Sequence, residues 1–315
     1  MFADLSRRFR APRLGAVVDD FLFAKEAEGR APRTIEWYRS RLGSLVVCAR
    51  GASARDVDAD ELRRWLIAVR AGRKGRSTRD TYVASHRAAA AALFAWAVAE
   101  GKIARSPVAS IGRMRTRRRE IVILTREEIE RMIEARSERT ELGIRDRAMI
   151  AFLYDTGARA GELAHLRLED VRLAEGIALV TGKTGERRVP LGMKLRAHLL
   201  AYTQSARPHV LAFAESGILF LSRRGSPLQE NGVDQMIRRA ARGAGISKRV
   251  YPHLLRHSFA TQYIRNGGDP YTLQIILGHS TPAMVTRYMH MAATDAEARH
   301  AIASPLDHLP LAVAQ

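Results

Sequence analysis

The chain has 315 residues and 46% of them are hydrophobic, so it can bury about two cores of roughly 150 residues each. It has no run of about 18 apolar residues and no apolar N-terminal segment, so we expect neither a membrane-spanning helix nor a secretory signal. Cys48 is the only cysteine, which excludes an internal disulfide and a cysteine zinc cage and fits a reducing cytoplasm. The 52 Lys and Arg outnumber the 33 Asp and Glu, and the net charge of +19 favours nucleic acid as a partner over a merely basic or ribosome-associated protein.

Four helical segments with short connections predict a small bundle over residues 12–107. The first segment covers 15–29, and the second follows with Thr34 as a plausible N-cap. The third and fourth segments end at Gly72 and Gly101. The fourth is rich in alanine, which lets a helix pack closely against its neighbours.

A basic linker is predicted at residues 108–120. Its arginines crowd into seven residues: Arg113, Arg115, Arg117, Arg118 and Arg119. A solvated linker without a ligand is one interpretation of such a block. We favour a strap across DNA phosphates, because binding to DNA releases counterions from the phosphate backbone.

A larger, mixed domain is predicted from residue 121 to 300. Thr125 with Glu128 forms a capping-box pattern, and an apolar helix after it ends near Gly157. The stretch "TGKTGE" lies between two apolar runs and predicts a two-stranded hairpin with Lys183 in or beside its turn. Further helices are predicted at 192–206, 231–243, 253–266, 270–277 and 282–291.

Two arginines and a tyrosine are candidates for phosphate chemistry. Arg159 lies where a helix breaks and restarts, and Arg256 follows His253 by three positions, on the same helical face. Two guanidinium groups can clamp a phosphate, although a single arginine on a helix is more often structural or solvated. Tyr288 is either a buried core phenol or a nucleophile that neighbouring cations activate by lowering its pKa.

A metal site is the alternative for the stretch "YPHLLRHSFATQYIRNGG". His253 and His257 are spaced i, i+4, but Leu254 stands where a zinc protease helix would carry Glu. A third ligand would have to be His279 or His290, with no acidic cluster nearby. We therefore predict an anion site and no metal.

Several motifs together resemble one family. "TGARAGEL", "TGKTGERRVPL", "HLLRHSFAT", "LGH" and a Tyr nine residues after that His follow one another in the order and spacing of the tyrosine recombinase (phage integrase) family. The resemblance spans nearly the whole chain and is most specific in its C-terminal 200 residues. It implies a mainly α fold, with an N-terminal four-helix, SAM-like core-binding domain at 12–107. The mostly helical catalytic domain at 121–300 would carry a small β-sheet or hairpin, and the tail at 301–315 would either fray or dock into a neighbouring protomer.

The resemblance implies roles around a scissile phosphate. Arg159 and Arg256 would hold it and stabilise the charge on its non-bridging oxygens, and His279 would bond to it. Lys183 would be the general acid for the departing 5′ oxygen. His253 would assist as acid or base and hydrogen-bond donor.

The nucleophile implied by the resemblance is Tyr288, which would form a 3′ phosphotyrosyl intermediate and release a 5′ hydroxyl. Glu162 would support the site without reacting, and His257 would pack. Each step exchanges one phosphate ester for another, so no ATP and no metal cofactor is expected, since fixed cations supply the electrostatic stabilisation.

A site-specific DNA recombinase, of a compact Xer-like or transposon and plasmid type, is therefore the predicted function. Its partners would be double-stranded DNA with inverted-repeat core sites and other copies of the chain, as a homo-tetramer in synapsis. A type IB topoisomerase-like enzyme and a non-catalytic DNA-binding factor are the alternatives.

Overall fold

The computed structural model describes residues 13–72, 80–112, 122–182, 185–210 and 217–278, together with Thr286 and Tyr288. The chain divides into two compact units, Met1–Glu120 and Ile121–Gln315. The predicted fold class is confirmed, because helices dominate and a single three-stranded sheet accompanies them in the described ranges. Within those ranges, every helix is too short or too polar to cross a bilayer.

The first unit contains the four predicted helices: α1 (Leu14–Ala27), α2 (Pro32–Cys48), α3 (Ala59–Ala71) and α4 (Asp80–Ala99). The N-cap predicted at Thr34 is wrong, because α2 begins two residues earlier with Pro32 in its first turn. Proline is tolerated there since its missing N–H would have had no intrahelical partner. Asp58 caps α3 by accepting a hydrogen bond from the backbone N–H of Glu61 at 2.7 Å.

Aromatic side chains fill the core of this unit. Phe21, Trp65 and Phe94 are fully buried, and the indole N–H of Trp65 donates to the hydroxyl of Ser44 at 3.1 Å. Helix α4 buries three alanines near Phe94, and these small side chains let its backbone approach α2 and α3.

The second unit is built around the buried helix α6. Its helices are α5 (Arg126–Glu134), α6 (Glu141–Thr156), α7 (Ala160–Ala164), α8 (Met193–Ala201), α9 (Arg207–Val210), α10 (Glu230–Gly243), α11 (Pro252–Arg265) and α12 (Pro270–Leu277). The capping box of Thr125 and Glu128 is present at the start of α5, and α6 ends at Gly157 in the left-handed conformation, both as predicted. The sequence predicts one continuous helix at 192–206, but a π-helical turn at Tyr202–Ala206 separates α8 from α9.

The sheet has the order β1 (Val171–Arg172), β2 (Ile177–Gly182) and β3 (Gly185–Pro190), and all its pairs are antiparallel. The predicted hairpin is therefore confirmed as β2 and β3. Its last pair is Gly182 with Gly185. Strand β1 was not predicted, since two residues carry too little pattern to detect.

Candidate active site

Arg159 and Glu162 meet at the start of α7, where the chain restarts a helix after Gly157. The Glu162 carboxylate accepts two hydrogen bonds from Arg159: its backbone N–H donates at 2.8 Å and its guanidinium Nη1 at 2.6 Å. Glu162 is only 2% exposed, whereas 37% of the Arg159 side chain is exposed. The carboxylate thus holds the backbone N–H and one guanidinium nitrogen of Arg159, whose side chain is still partly exposed to solvent.

A second arginine completes the environment of Glu162. Arg187, on β3, donates Nη1 and Nη2 to the two carboxylate oxygens at 2.7 and 2.8 Å. Burial alone would raise the pKa of Glu162, but the hydrogen bonds and charge of Arg187, with those of Arg159, lower it to about 2. Glu162 is therefore ionised at neutral pH despite its burial.

Acidification is expected to remove stability that Glu162 contributes. Its folded-state pKa of about 2 lies below the ordinary 4.5, so the contribution is complete above that ordinary value and is lost as the pH falls toward 2. The difference corresponds to about 3 kcal/mol of unfolding free energy. Urea titrations of the wild type and Glu162→Gln, from about pH 6 down to about pH 3, measure the free energy of unfolding of each. The difference between the two free energies should become smaller as the pH falls. A difference that stays constant would contradict the conclusion that Glu162 is ionised in the folded protein.

Arg256 is the most deeply buried cation of the site, at 1% exposed. Its Nη1 donates to the carbonyl oxygen of Gly157 at 2.6 Å and its Nη2 to that of Leu277 at 2.7 Å. Burial lowers the pKa of Arg256 to about 10, and the charges of Arg159 and Arg187 contribute in the same direction. It still carries its proton at neutral pH, so the site concentrates positive charge on three arginines around one carboxylate.

His253 lies one turn before Arg256 on α11, as the spacing predicted, and its side chain reaches solvent. Partial burial lowers the pKa of His253, and the charges of Arg256 and Arg159 lower it further. The imidazole is therefore neutral at pH 7 and can donate one hydrogen bond and accept another.

His257 contacts the candidate nucleophile. Its Nδ1 lies 2.8 Å from the hydroxyl oxygen of Tyr288, a normal hydrogen-bond length, and the ring also packs edge-on against His253 at 4.5 Å between centroids. The predicted packing role of His257 leaves this hydrogen bond out. The i, i+4 spacing that suggested a metal pair instead places the His253 ring against His257, which in turn contacts Tyr288. Across the described ranges, no three His, Cys, Asp or Glu side chains come close enough to hold a metal ion.

Tyr288 is 2% exposed and lies within electrostatic reach of Arg256. The structure thus brings together six predicted site residues: Arg159, Glu162, His253, Arg256, His257 and Tyr288. The other predicted features lie outside the described residues. They are Lys183, His279, the helix predicted at 282–291 apart from Thr286 and Tyr288, the tail at 301–315 and the arginines at 113–119.

Arg187 is the site residue that the sequence reasoning missed. A signal was present, because residues alternate across a strand and Arg187 shares its face with the buried Val189, while Arg188 points the other way and is exposed. An arginine at a core-facing strand position needs a buried partner, and Glu162 is that partner.

Comparison with known proteins gives concordant matches. The sequence model of the phage integrase family matches residues 123–295. Tyrosine recombinase XerC of Xanthomonas campestris pv. campestris (strain B100) is 32% identical over 285 residues, which cover 88% of this chain and 84% of that protein. Tyrosine recombinase XerD of Listeria innocua serovar 6a is 31% identical over 283 residues, which cover 87% and 94%.

Solved structures share the fold. A lambda integrase(75-356) dimer bound to a COC′ core site matches with a TM-score of 0.72 at 21% identity, over 88% of this chain and 95% of that one. A lambda integrase tetramer bound to a Holliday junction matches with a TM-score of 0.73 at 20% identity, over 94% and 83%. At these identities the likeness establishes the fold alone.

Proposed function

The chain belongs to the phage integrase family of tyrosine recombinases, and from this premise we propose which of its residues cut and rejoin DNA. Its activity is that of a tyrosine-type site-specific recombinase, and the relatives give no support to the topoisomerase-like or non-catalytic alternatives. The observation that supports the residue assignment best is the single site in which Tyr288, His257, Arg256 and Arg159 lie together.

The proposed first step is attack by the Tyr288 hydroxyl oxygen on the scissile phosphorus. The bond from phosphorus to the tyrosine oxygen forms as the bond to the 5′ oxygen breaks, so the number of phosphodiesters is unchanged. Arg159 and Arg256 hold the non-bridging oxygens, because a guanidinium fork matches a pair of phosphate oxygens and stabilises the charge that grows on them. Rejoining is the reverse reaction with a 5′ hydroxyl as the nucleophile.

Two protons move in this step. His257 accepts the Tyr288 proton through the hydrogen bond already formed at Nδ1. Lys183, which directly follows Gly182 in the sequence, protonates the departing 5′ oxygen. His253 and His279 donate hydrogen bonds to the phosphate, and the neutral state of His253 suits that role.

Replacing His257 by Phe is expected to lower the rate of covalent adduct formation by roughly 10²-fold, because the tyrosine then loses its proton acceptor. His257→Asn should be as slow, since an amide can hold the hydroxyl but cannot accept its proton. Single-turnover adduct assays on both variants measure this. An Asn variant with the wild-type rate would show that His257 only positions Tyr288.

DNA is the proposed partner of both units. The net charge of +19 favours a polyanion, and counterion release would drive binding. We assign residues 12–107 to core-site binding, 108–120 with its arginines to a strap over phosphates, 121–300 to catalysis and 301–315 to exchange between protomers. By analogy with the lambda integrase complexes, the substrate would be duplex DNA with inverted-repeat core sites and the synaptic assembly a homo-tetramer. The chain alone would be a monomer or weak dimer in the cytoplasm, where bacterial DNA lies.

Covalent capture tests this proposal and identifies the target sequence in the same experiment. The protein is incubated with a pool of nicked duplexes of random sequence. Cleavage close to the nick releases a short fragment that carries the 5′ hydroxyl, and its loss prevents rejoining. Complexes that survive detergent are isolated and their DNA is sequenced, with an unnicked pool as the control. We expect the captured DNA to be enriched in inverted repeats. Capture without sequence enrichment would indicate a topoisomerase-like activity, and no capture at all would contradict the proposed function.

A further inference from the structure

Arg187 uses its whole guanidinium to connect separate segments of the second unit. Two of its nitrogens bind the Glu162 carboxylate at the start of α7, and Nε donates to the carbonyl oxygen of Ile276, near the end of α12, at 2.7 Å. The side chain is 10% exposed and belongs to β3, the second strand of the hairpin. One side chain therefore joins β3, α7 and α12.

Two glycines show how closely this cluster packs against the hairpin and against α12. A β-carbon added to Gly182 would lie 2.7 Å from Oε1 of Glu162, and one added to Gly278 would lie 3.0 Å from Cδ of Arg187. A side chain at Gly182 would therefore displace the Glu162 carboxylate, and one at Gly278, where φ is +61°, would be strained and would press on Arg187. Gly182 directly precedes Lys183, and Gly278 directly precedes His279. The pair formed by Glu162 and Arg187 thus packs against the residue before each of two proposed catalytic residues.

We propose that Arg187 is a positioning residue of the recombination site, which fixes Glu162, strand β3 and the end of α12. Lys183 and His279 follow Gly182 and Gly278 directly in the sequence. This inference rests on the proposed function of those residues. Arg187 is not itself placed on the phosphate, because its nitrogens are directed to Glu162 and Ile276.

The charge of Arg187 also determines what Glu162 does to Arg159. Both arginines donate to the same oxygen, Oε1 of Glu162, so they share one buried carboxylate. Without Arg187, the pKa of Glu162 rises, because burial raises it and the charge and two hydrogen bonds of Arg187 that lower it are lost. Once protonated, Glu162 no longer holds the Arg159 guanidinium by charge. We expect this loss to lower the reaction rate rather than the affinity for DNA.

Arg187→Gln is the test variant and Arg188→Gln the matched control, since Arg188 is the next residue of the same strand, carries the same charge and is exposed. Single-turnover adduct formation is measured on nicked duplexes recovered by covalent capture, as a function of pH and of DNA concentration. We expect Arg187→Gln to lower the maximal rate by roughly 10²-fold. The DNA concentration for half-maximal rate should stay near that of Arg188→Gln.

The pH profile separates positioning from a merely structural role. Glu162 faces Arg159 at the start of its own helix and Arg187 on β3, and Arg256 on α11 lies within electrostatic reach of it. In Arg187→Gln the Glu162 carboxyl should titrate at higher pH, so the rate should acquire an acid limb that the wild type lacks. The double variant Glu162→Gln/Arg187→Gln has no carboxyl at position 162 to titrate, so its rate should lack that acid limb. All variants keep His253, so the titration of His253 contributes equally to every profile.

Two controls show whether a variant is folded. Thermal unfolding of each variant is measured before the assay, and Arg187→Lys is included because it keeps the positive charge. A folded Arg187→Gln protein whose rate and pH profile match those of Arg188→Gln would overturn the inference. A slow variant without the new acid limb would also overturn it, since the loss would then not act through Glu162. If the wild type itself forms no adduct, the proposed function fails instead, so the two failures are distinguishable.

Discussion

Tyr288→Phe is expected to abolish covalent capture of DNA. The substitution removes only the hydroxyl oxygen, which is the proposed nucleophile and the atom that His257 binds at 2.8 Å. Removing a nucleophile from a preassembled site costs at least about four orders of magnitude in rate. Detergent-stable adduct on the captured duplex should therefore fall to the background.

The control for this prediction is Tyr271→Phe, the same chemical change at a phenol that is 71% exposed on α12. That variant should form adduct as the wild type does. Tyr288→Phe should still fold, because the lost hydrogen bond is worth only about 1 kcal/mol. Adduct that persists in a folded Tyr288→Phe protein would refute the assignment of the nucleophile.

Arg256→Lys is expected to lower adduct formation by roughly 10³-fold, the second-largest effect. Arg256 bridges the carbonyl oxygens of Gly157 and Leu277 through two nitrogens of one planar group, and it lies within electrostatic reach of Arg159 and Tyr288. A lysine ammonium is a single point of charge, so it cannot span both carbonyls and also present a fork to the phosphate. The change therefore keeps the charge and removes the geometry.

Arg265→Lys is the matched control, since Arg265 lies in the last turn of the same helix and is exposed. Single-turnover rates at saturating DNA compare the two variants. Thermal unfolding shows how much stability is lost because Arg256→Lys leaves buried carbonyl oxygens without a hydrogen-bond donor. A stable Arg256→Lys protein with a near wild-type rate would mean that Arg256 supports the fold and does not act on the phosphate.

Local patterns predicted the elements that depend on neighbouring residues. The capping box of Thr125 and Glu128, the end of α6 at Gly157 and the hairpin of β2 and β3 all follow from spacing within a few positions. The same holds for His253 and Arg256, which one helical turn places on one face. The wrong N-cap at Thr34 shows the limit of such patterns. Thr34 is a residue type that often caps helices, but Pro32 is suited to the first turn and begins the helix before it.

Contacts between distant segments could not be predicted from local spacing. The bonds of Arg187 to Glu162 and Ile276 join positions 25 and 89 residues apart, and the bond of His257 to Tyr288 joins positions 31 apart. Such pairs depend on how α7, α11, α12 and the sheet pack together. A family motif indicated that Glu162 mattered, but only the packed structure identified its partner.

The covalent link itself tests the central claim most directly. Captured adduct is treated with nuclease and trypsin, and the modified peptide is identified by mass spectrometry. Trypsin cleaves after Arg287, so the peptide that begins at Tyr288 ends at Arg299 and contains one tyrosine. We predict a nucleotide joined through its 3′ phosphate to Tyr288, with a 5′ hydroxyl on the released strand. A nucleotide on any other residue, or a link through a 5′ phosphate, would contradict the mechanism.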